Sequence, residues 1–222
     1  MNKYVVRFYK GGNIRYISHL DLMRLFKRAF KRAGIKLQYS LGFNPHPKIS
    51  FAQPLSLGYT SSSEYMEFET QLAYSTDLII QKLNSLMPEG LGILSCEKLP
   101  DNVKSLAART KAADYEITIP VNSGIEKDVC NLLREYMSQD QIKVIKHQKK
   151  SRKSIEIDIK PLIYSISGDF HNNSILIKTK LAAGNVSNLS PEFVLSTFCE
   201  FADIQYERAM VTIKRNDIYF TN

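Results

Sequence analysis

Cysteine is scarce in this chain of 222 residues, and what there is does not cluster. Cys96, Cys130 and Cys199 are far apart and odd in number, the pattern of free, buried thiols in a reducing compartment. Neither C-x-x-C nor C-x3-C-x-x-C spacing occurs. A zinc ribbon or a three-cysteine iron–sulfur site is therefore excluded for this chain alone, and with it reductive cleavage of S-adenosylmethionine. No two of the four histidines have the i,i+4 spacing of a helical metal site, so neither metal nor cofactor is expected. No run approaches the ~18 apolar residues of a membrane span. The N-terminus enters an alternating strand pattern rather than an apolar signal segment. These absences lead to the expectation of a cytoplasmic protein with no membrane partner. The 44% hydrophobic content supplies a folded core, in two small domains or one large one.

Acid is nearly missing from the first quarter. Up to Lys48 there are eleven lysines and arginines against the single acid Asp21, a net charge of +10, while the whole chain carries +8. Everything after Lys48 therefore sums to about −2. Charge segregated this way points to a polyanionic partner, most simply RNA.

The elements follow from periodicity and punctuation. Tyr4 to Tyr9 reads as a strand ended by Gly11-Gly12. Ser18 caps a helix that Gly34 ends, with Asp21 completing a capping-box pattern. At 100° per residue Leu22, Met23, Phe26, Ala29, Phe30 and Ala33 share one side, and Arg24, Lys27, Arg28, Lys31 and Arg32 the other. An ordinary surface helix mixes Glu with Lys to gain i,i+4 pairs. This one has no acid after Asp21. A short strand is expected at Ile35–Tyr39, then a loop shaped by Gly42, Pro45, Pro47, Pro54 and Gly58, with at most a short strand near Ile49–Phe51. A strand, a helix and a strand follow between Glu64 and Leu99. The order is βαββαβ. Asp101–Ala113 reads as helix-forming sequence. The second half repeats the pattern: strands at Tyr115–Ile119, Ile142–Ile145, Ser154–Ile159, Ser174–Leu181, Tyr206–Lys214 and Ile218–Phe220, with helices at Glu126–Met137 and from Ser190. Leu162–Ser167 reads as short helix or strand. The expected fold is α+β: two tandem ferredoxin-like (βαββαβ) units, the second with an extra strand. The basic N-terminal domain is 1–102, the linker 103–112 and the C-terminal domain 113–222.

Candidate binding residues come from charge and loop chemistry. Arg15 and Tyr16 follow a glycine turn and offer a charged fork beside a stacking face. With them stand Arg24, Lys27, Arg28, Lys31 and Arg32 on the helix, and Lys48. The basic turn Lys149, Lys150, Arg152 and Lys153 is a further phosphate contact or a solubilising hairpin tip. Phe43, Asn44 and His46 form a recognition loop. Phe43 either stacks on a base or plugs the core, and core packing is the preferred reading. His46 and His19 are weak candidates for acid–base work; packing at the helix end is preferred for His19. Asp158 and Lys160 are expected to pair on one side of a strand.

Two strings carry a resemblance. Gly12-x-x-Arg15-Tyr16-Ile17-Ser18-His19-Leu20-Asp21-Leu22-Met23-Arg24 continues into Arg28-Ala29-x-x-Arg32-Ala33-Gly34. Then comes Tyr39-Ser40-x-Gly42-Phe43-Asn44-Pro45-His46-Pro47-Lys48-Ile49-Ser50-Phe51. Pro54-Leu55-Ser56-Leu57-Gly58, Asp158-Ile159-Lys160-Pro161 and Gly184-Asn185-Val186 extend it. This pattern resembles the radical-SAM-linked protein family, a bacterial domain family found fused to or encoded beside cobalamin-binding-type radical SAM proteins. The resemblance implies a radical SAM partner protein and an RNA- or ribosome-related setting; it implies no catalytic residue. The tandem arrangement also resembles ribonucleases that process CRISPR repeats, but fold likeness by itself assigns no function. The expected role is an RNA-binding accessory module without catalytic activity of its own. The alternatives are a protein–protein adaptor subunit of the same partner and a metal-independent ribonuclease-like enzyme.

Overall fold

Tyr4, Val6 and Phe8 alternate along the first strand and are fully buried, as a half-buried strand requires. The structure, a computed structural model, describes residues 2–121, 128–147 and 154–221. The chain forms two compact units, Met1–Lys111 with Arg215–Asn222, and Ala112–Lys214. The architecture is α+β.

In the first unit, β1 (Asn2–Lys10) leads through a 3-10 turn to α1 (His19–Arg32). Then come β2 (Ile49–Phe51), β3 (Thr60–Thr70), α2 (Thr76–Asn84), β4 (Leu91–Lys98) and the four-residue α3 (Leu106–Arg109). β1 lies between β4 and β3, antiparallel to both, and β2 is antiparallel to β3. Ser18 caps α1: its Oγ accepts the Asp21 backbone N–H at 3.1 Å and donates to the Asp21 carboxylate at 2.7 Å. Leu22, Phe26, Ala29 and Phe30 form the helix's buried face. The rings of Phe8, Phe26 and Phe51 meet edge to face, and Phe30 sits 4.6 Å from Phe68. Burying each such ring stabilises by roughly 1.5–3 kcal/mol, which outweighs the repulsion among the cations on the opposite face.

One glycine is forced by a close approach. The Gly11 N–H donates to the Gly90 carbonyl at 2.7 Å, and a Cβ at Gly90, where φ is +86°, would stand 2.5 Å from the Gly11 oxygen. That contact fixes the turn that carries Arg15 and Tyr16.

In the second unit, β5 (Thr110–Pro120) is followed by α4 (Val129–Ser138), β6 (Lys143–His147), β7 (Ser154–Asp158), β8 (Ile163–His171), β9 (Ser174–Ala182) and α5 (Pro191–Phe201). β9 lies between β5 and β8, antiparallel to both. Asn172 and Asn173, both at positive φ, make the two-residue turn between β8 and β9, the chemistry such hairpins favour. Among the described residues β6 and β7 pair only with each other. The strands expected at Ile142–Ile145 and Ser154–Ile159 both form, as this separate two-stranded ladder. Tyr136 packs edge to face on Phe198 and its hydroxyl meets the Thr197 hydroxyl at 2.7 Å.

Several expected elements differ. Ile35–Tyr39 forms only two isolated bridges, Leu37 to Thr70 and Tyr39 to Pro47, because proline cannot extend a ladder. The helix expected over Asp101–Ala113 shrinks to α3; Thr110, which is β-branched, already opens β5. The two strands expected at the C-terminus are one, β10 (Thr212–Phe220), preceded by a 3-10 turn at Arg208–Met210. Leu162–Ser167 is a 3-10 turn running into β8. The C-terminal Arg215–Asn222 belongs to the first unit, whereas the expected boundary assigns it to the second. The division expected from sequence at 103–112 stands beside a unit boundary after Lys111.

Candidate nucleic-acid interface

The capping bond at Ser18 turns α1 so that its apolar stripe faces the sheet, which leaves its cations outward. Hydrogen bonds from Ser18 and then Arg24 pull the Asp21 carboxyl below its ordinary range. Asp21 therefore stays ionised and holds Arg24 at 2.8 Å. Lys27, Arg28, Lys31, Arg32 and Lys36 make no ion pair among the described residues. Lys31 and Arg32, in the last turn, also offset the negative end of the helix dipole, as does the Lys82 ammonium on the Ala33 carbonyl at 3.0 Å.

The helix's outer face borders two grooves. One, of about 700 Å³, is lined by Lys27, Arg28, Lys31, Lys36, Tyr39, Pro47 and Gln71, with no acidic side chain among the described residues. The other, of about 430 Å³, lies between Arg24, Arg28 and Arg32 and the Leu86-Met87-Pro88 turn, with Asp21 at its end. Lys36 and Tyr39 were missed by sequence reasoning as site residues. The signal was their position after Gly34, which turns the chain back along the helix.

Beyond the first groove the chain closes a loop. The Ser40 N–H donates to the His46 carbonyl at 2.8 Å, and the His46 N–H to Ser40 Oγ at 3.0 Å. Between them Leu41 and Phe43 are 98% and 110% exposed. The preferred core reading of Phe43 is therefore corrected: five loop residues closed by two hydrogen bonds leave its ring no core to enter. Asn44 and His46 are exposed on the same loop. His46 borders a different hollow of about 370 Å³, with Lys3, Lys48, Glu67 and Glu69. There Lys48 pairs with Glu69 at 2.7 Å and Lys3 with Glu67 at 3.0 Å. Lys48 is thus partly neutralised, unlike Lys27, Arg28, Lys31 and Arg32 of α1.

Arg15 and Tyr16 sit in the 3-10 turn Gly12–Tyr16. The Arg15 guanidinium carbon lies 4.7 Å from the Tyr16 ring centroid, and Tyr16 is exposed. His19 opens α1 with its ring edge to face on Phe51 at 5.1 Å. Burial first, then the nearby Lys10 charge, holds its imidazole below the usual range against the pull of Glu64. Its ring thus packs on Phe51 in a setting that disfavours the imidazolium. His19 and His46 border no common cavity among those described above.

Sequence reasoning missed a buried charge cluster. Lys10 is 2% exposed and donates to the carbonyls of Arg15 and Ile17 at 3.4 and 3.2 Å. Burial pushes its ammonium pKa down, Glu64 raises it and Arg215 lowers it. Arg215 grips Glu64 through Nε at 2.8 Å and Nη2 at 2.5 Å and reaches the Gln53 carbonyl at 2.9 Å. The signal was parity: Lys10 continues the buried register of Tyr4, Val6 and Phe8.

The expected Asp158–Lys160 pair is a backbone device instead. Asp158 Oδ1 accepts the N–H groups of Ile142 and Lys160, both at 3.0 Å, and the Lys160 ammonium donates to the Gln139 carbonyl. Lys149, Lys150, Arg152 and Lys153 lie outside the described residues. Among the described residues no three His, Cys, Asp or Glu side chains come together as a metal-holding group, and no helix is long and apolar enough to cross a membrane.

Residues 3–191 match the family model for an uncharacterized protein conserved in bacteria, DUF2344, and the chain belongs to that family. No curated protein matches it. Among solved structures it is similar to a chain of a Cbf5-Nop10-Gar1 complex, with a TM-score of 0.53 and 8% identity. That match covers 97% of this chain and 48% of the other, so the chain spans about half the length of that relative, and the likeness is one of fold alone. An unknown protein from Galdieria sulphuraria aligns over 96% of this chain and 98% of its own, at 15% identity and a TM-score of 0.28.

Proposed function

For this member of the DUF2344 family we propose an RNA-binding accessory role beside a radical SAM partner protein, in RNA- or ribosome-related metabolism. The observation that carries the RNA reading is the groove along α1: four cations, an aromatic ring and a side-chain amide, with no carboxylate. Unpaired cations at ~3.6-residue spacing repel one another and gain most from a polyanion that releases its counterions on binding. The radical SAM partner rests on the resemblance of the Gly12–Gly34 and Tyr39–Phe51 strings. The frame we infer is two tandem ferredoxin-like units. In its favour the first unit runs β1-α1-β2-β3-α2-β4 with neighbours β4-β1-β3-β2. The second runs β5-α4 to β8-β9-α5 with β6 and β7 inserted.

The test is RNA affinity as a function of salt for the full chain and for Lys27→Ala/Arg28→Ala/Lys31→Ala. The expected result is a steep slope that flattens by about 2 in the variant, at ~0.7 per single-strand phosphate contact. A flat slope in the native chain overturns the reading. A protein-adaptor role takes its support from the exposed Leu41 and Phe43; an acidic partner protein bound by the native chain in place of RNA decides for it.

A further inference from the structure

We propose that the α1 groove takes single-stranded RNA, with Tyr39 and Phe43 as the surfaces on which its bases stack. This rests on the RNA reading above and names the form of RNA. Tyr39, 46% exposed, lies in the groove beside Lys27, Lys31 and Lys36. Phe43, wholly exposed, stands on the loop that leaves the groove through the Tyr39–Pro47 bridge. Cations for the backbone and ring faces for the bases thus come from one continuous stretch, Lys27 to Pro47.

An aromatic ring gains from nucleic acid only where a base face is open. In a duplex those faces are covered by neighbouring base pairs, and recognition falls to phosphates and 2′-hydroxyls. A single strand offers each base to a ring while its phosphates track the cations. The volume of about 700 Å³ lies in the range of ~300–1,000 Å³ that sites for small organic groups occupy, which is room for splayed nucleotides. The Gln71 amide at the groove wall supplies a donor and an acceptor for a base edge. The loop's shape also favours this use. Pro45, Pro47 and the two bonds between Ser40 and His46 restrict the backbone, so presenting Phe43 costs little ordering entropy.

The test uses the full chain and an RNA of about 12 nucleotides carrying 2-aminopurine, within the ~4–16 nucleotides such grooves cover. The RNA is used alone and annealed to its complement. Fluorescence anisotropy at 0.15 M salt gives affinities, and 2-aminopurine quenching reports stacking. The single strand is expected to bind at least tenfold tighter than the duplex. Tyr39→Ala and Phe43→Ala are each expected to weaken it by about 5- to 100-fold, to relieve quenching and to leave the salt slope unchanged. Tyr39→Phe, which keeps the ring, is expected to bind as the native chain. Equal or tighter duplex binding, or unchanged affinity in both alanine variants, overturns this proposal while a salt slope sensitive to Lys27, Arg28 and Lys31 leaves the RNA reading in place. Absence of binding to either form removes both.

Discussion

The cations of the first unit fall into two sets. Lys3, Lys10, Lys48 and Arg215 each have partners: Glu67, backbone carbonyls, Glu69 and Glu64. Lys27, Arg28, Lys31, Arg32 and Lys36 have no ion pair among the described residues, though they lie within one helix and its turn. The same residue types do different work because of what stands opposite them. A compensated cation serves the fold, and burial sets its energetic weight. An uncompensated row on the surface gives the fold almost nothing, and its charge remains available to a ligand. Loop residues Tyr39 to Lys48 run between these two settings, with the α1 groove on one side and the balanced hollow of Glu67 and Glu69 on the other.

The sharpest break of this contrast is at the interior pair. Glu64→Gln removes the Glu64 charge from Arg215, 1% exposed, beside a buried Lys10. We expect a loss of about 3–5 kcal/mol in urea unfolding; a loss under about 1 kcal/mol would place the pair among solvent-screened ones. Next in size is the exposed row. Lys27→Ala/Arg28→Ala/Lys31→Ala should weaken RNA binding by roughly 50-fold at 0.15 M salt while stability stays within about 0.5 kcal/mol. A large stability loss without a binding loss would reverse the assignment of roles.

Smaller effects sharpen the comparison. Lys48→Ala removes a cation that already has Glu69, in a pair whose lysine stays partly exposed. Stability should fall by no more than about 1 kcal/mol and the salt slope should not change; a slope reduced by about 0.7 would show Lys48 on a phosphate. The smallest effect concerns His19, whose folded pKa lies below its ordinary 6.5. The unfolded chain then takes up the proton first as pH falls, so stability present above pH 6.5 is lost as pH drops through the lowered folded value. Unfolding of the native chain and of His19→Gln should therefore diverge below pH 6.5, with the native chain falling faster. Parallel curves would mean that burial does not disfavour the imidazolium.

The elements set by period were legible from the residues. The α1 stripe and its cationic face both follow from 100° spacing, and Ser18 caps where expected. What was lost depended on partners far along the chain. Lys10 occupies a buried register, but its setting beside Glu64 and Arg215 needs strands more than fifty and two hundred residues away. Of the expected Tyr206–Lys214 strand only Thr212–Lys214 forms, because the chain ahead of it folds into the 3-10 turn Arg208–Met210. Phe43 was read as core because apolar rings are usually inside; the loop closure by Ser40 and His46 that exposes it is a tertiary fact. Lys36 and Tyr39 border the groove through the turn at Gly34, a tertiary feature beyond the reach of helical periodicity.

The central claim is that RNA lies along the outer face of α1. Ultraviolet crosslinking of bound RNA, followed by mass-spectrometric mapping of the modified peptides, tests it most directly. The account predicts adducts on the stretch Lys27 to Pro47, with Tyr39 and Phe43 among the modified residues. Adducts confined to Ala112–Lys214, or their absence from RNA that is demonstrably bound, would contradict it.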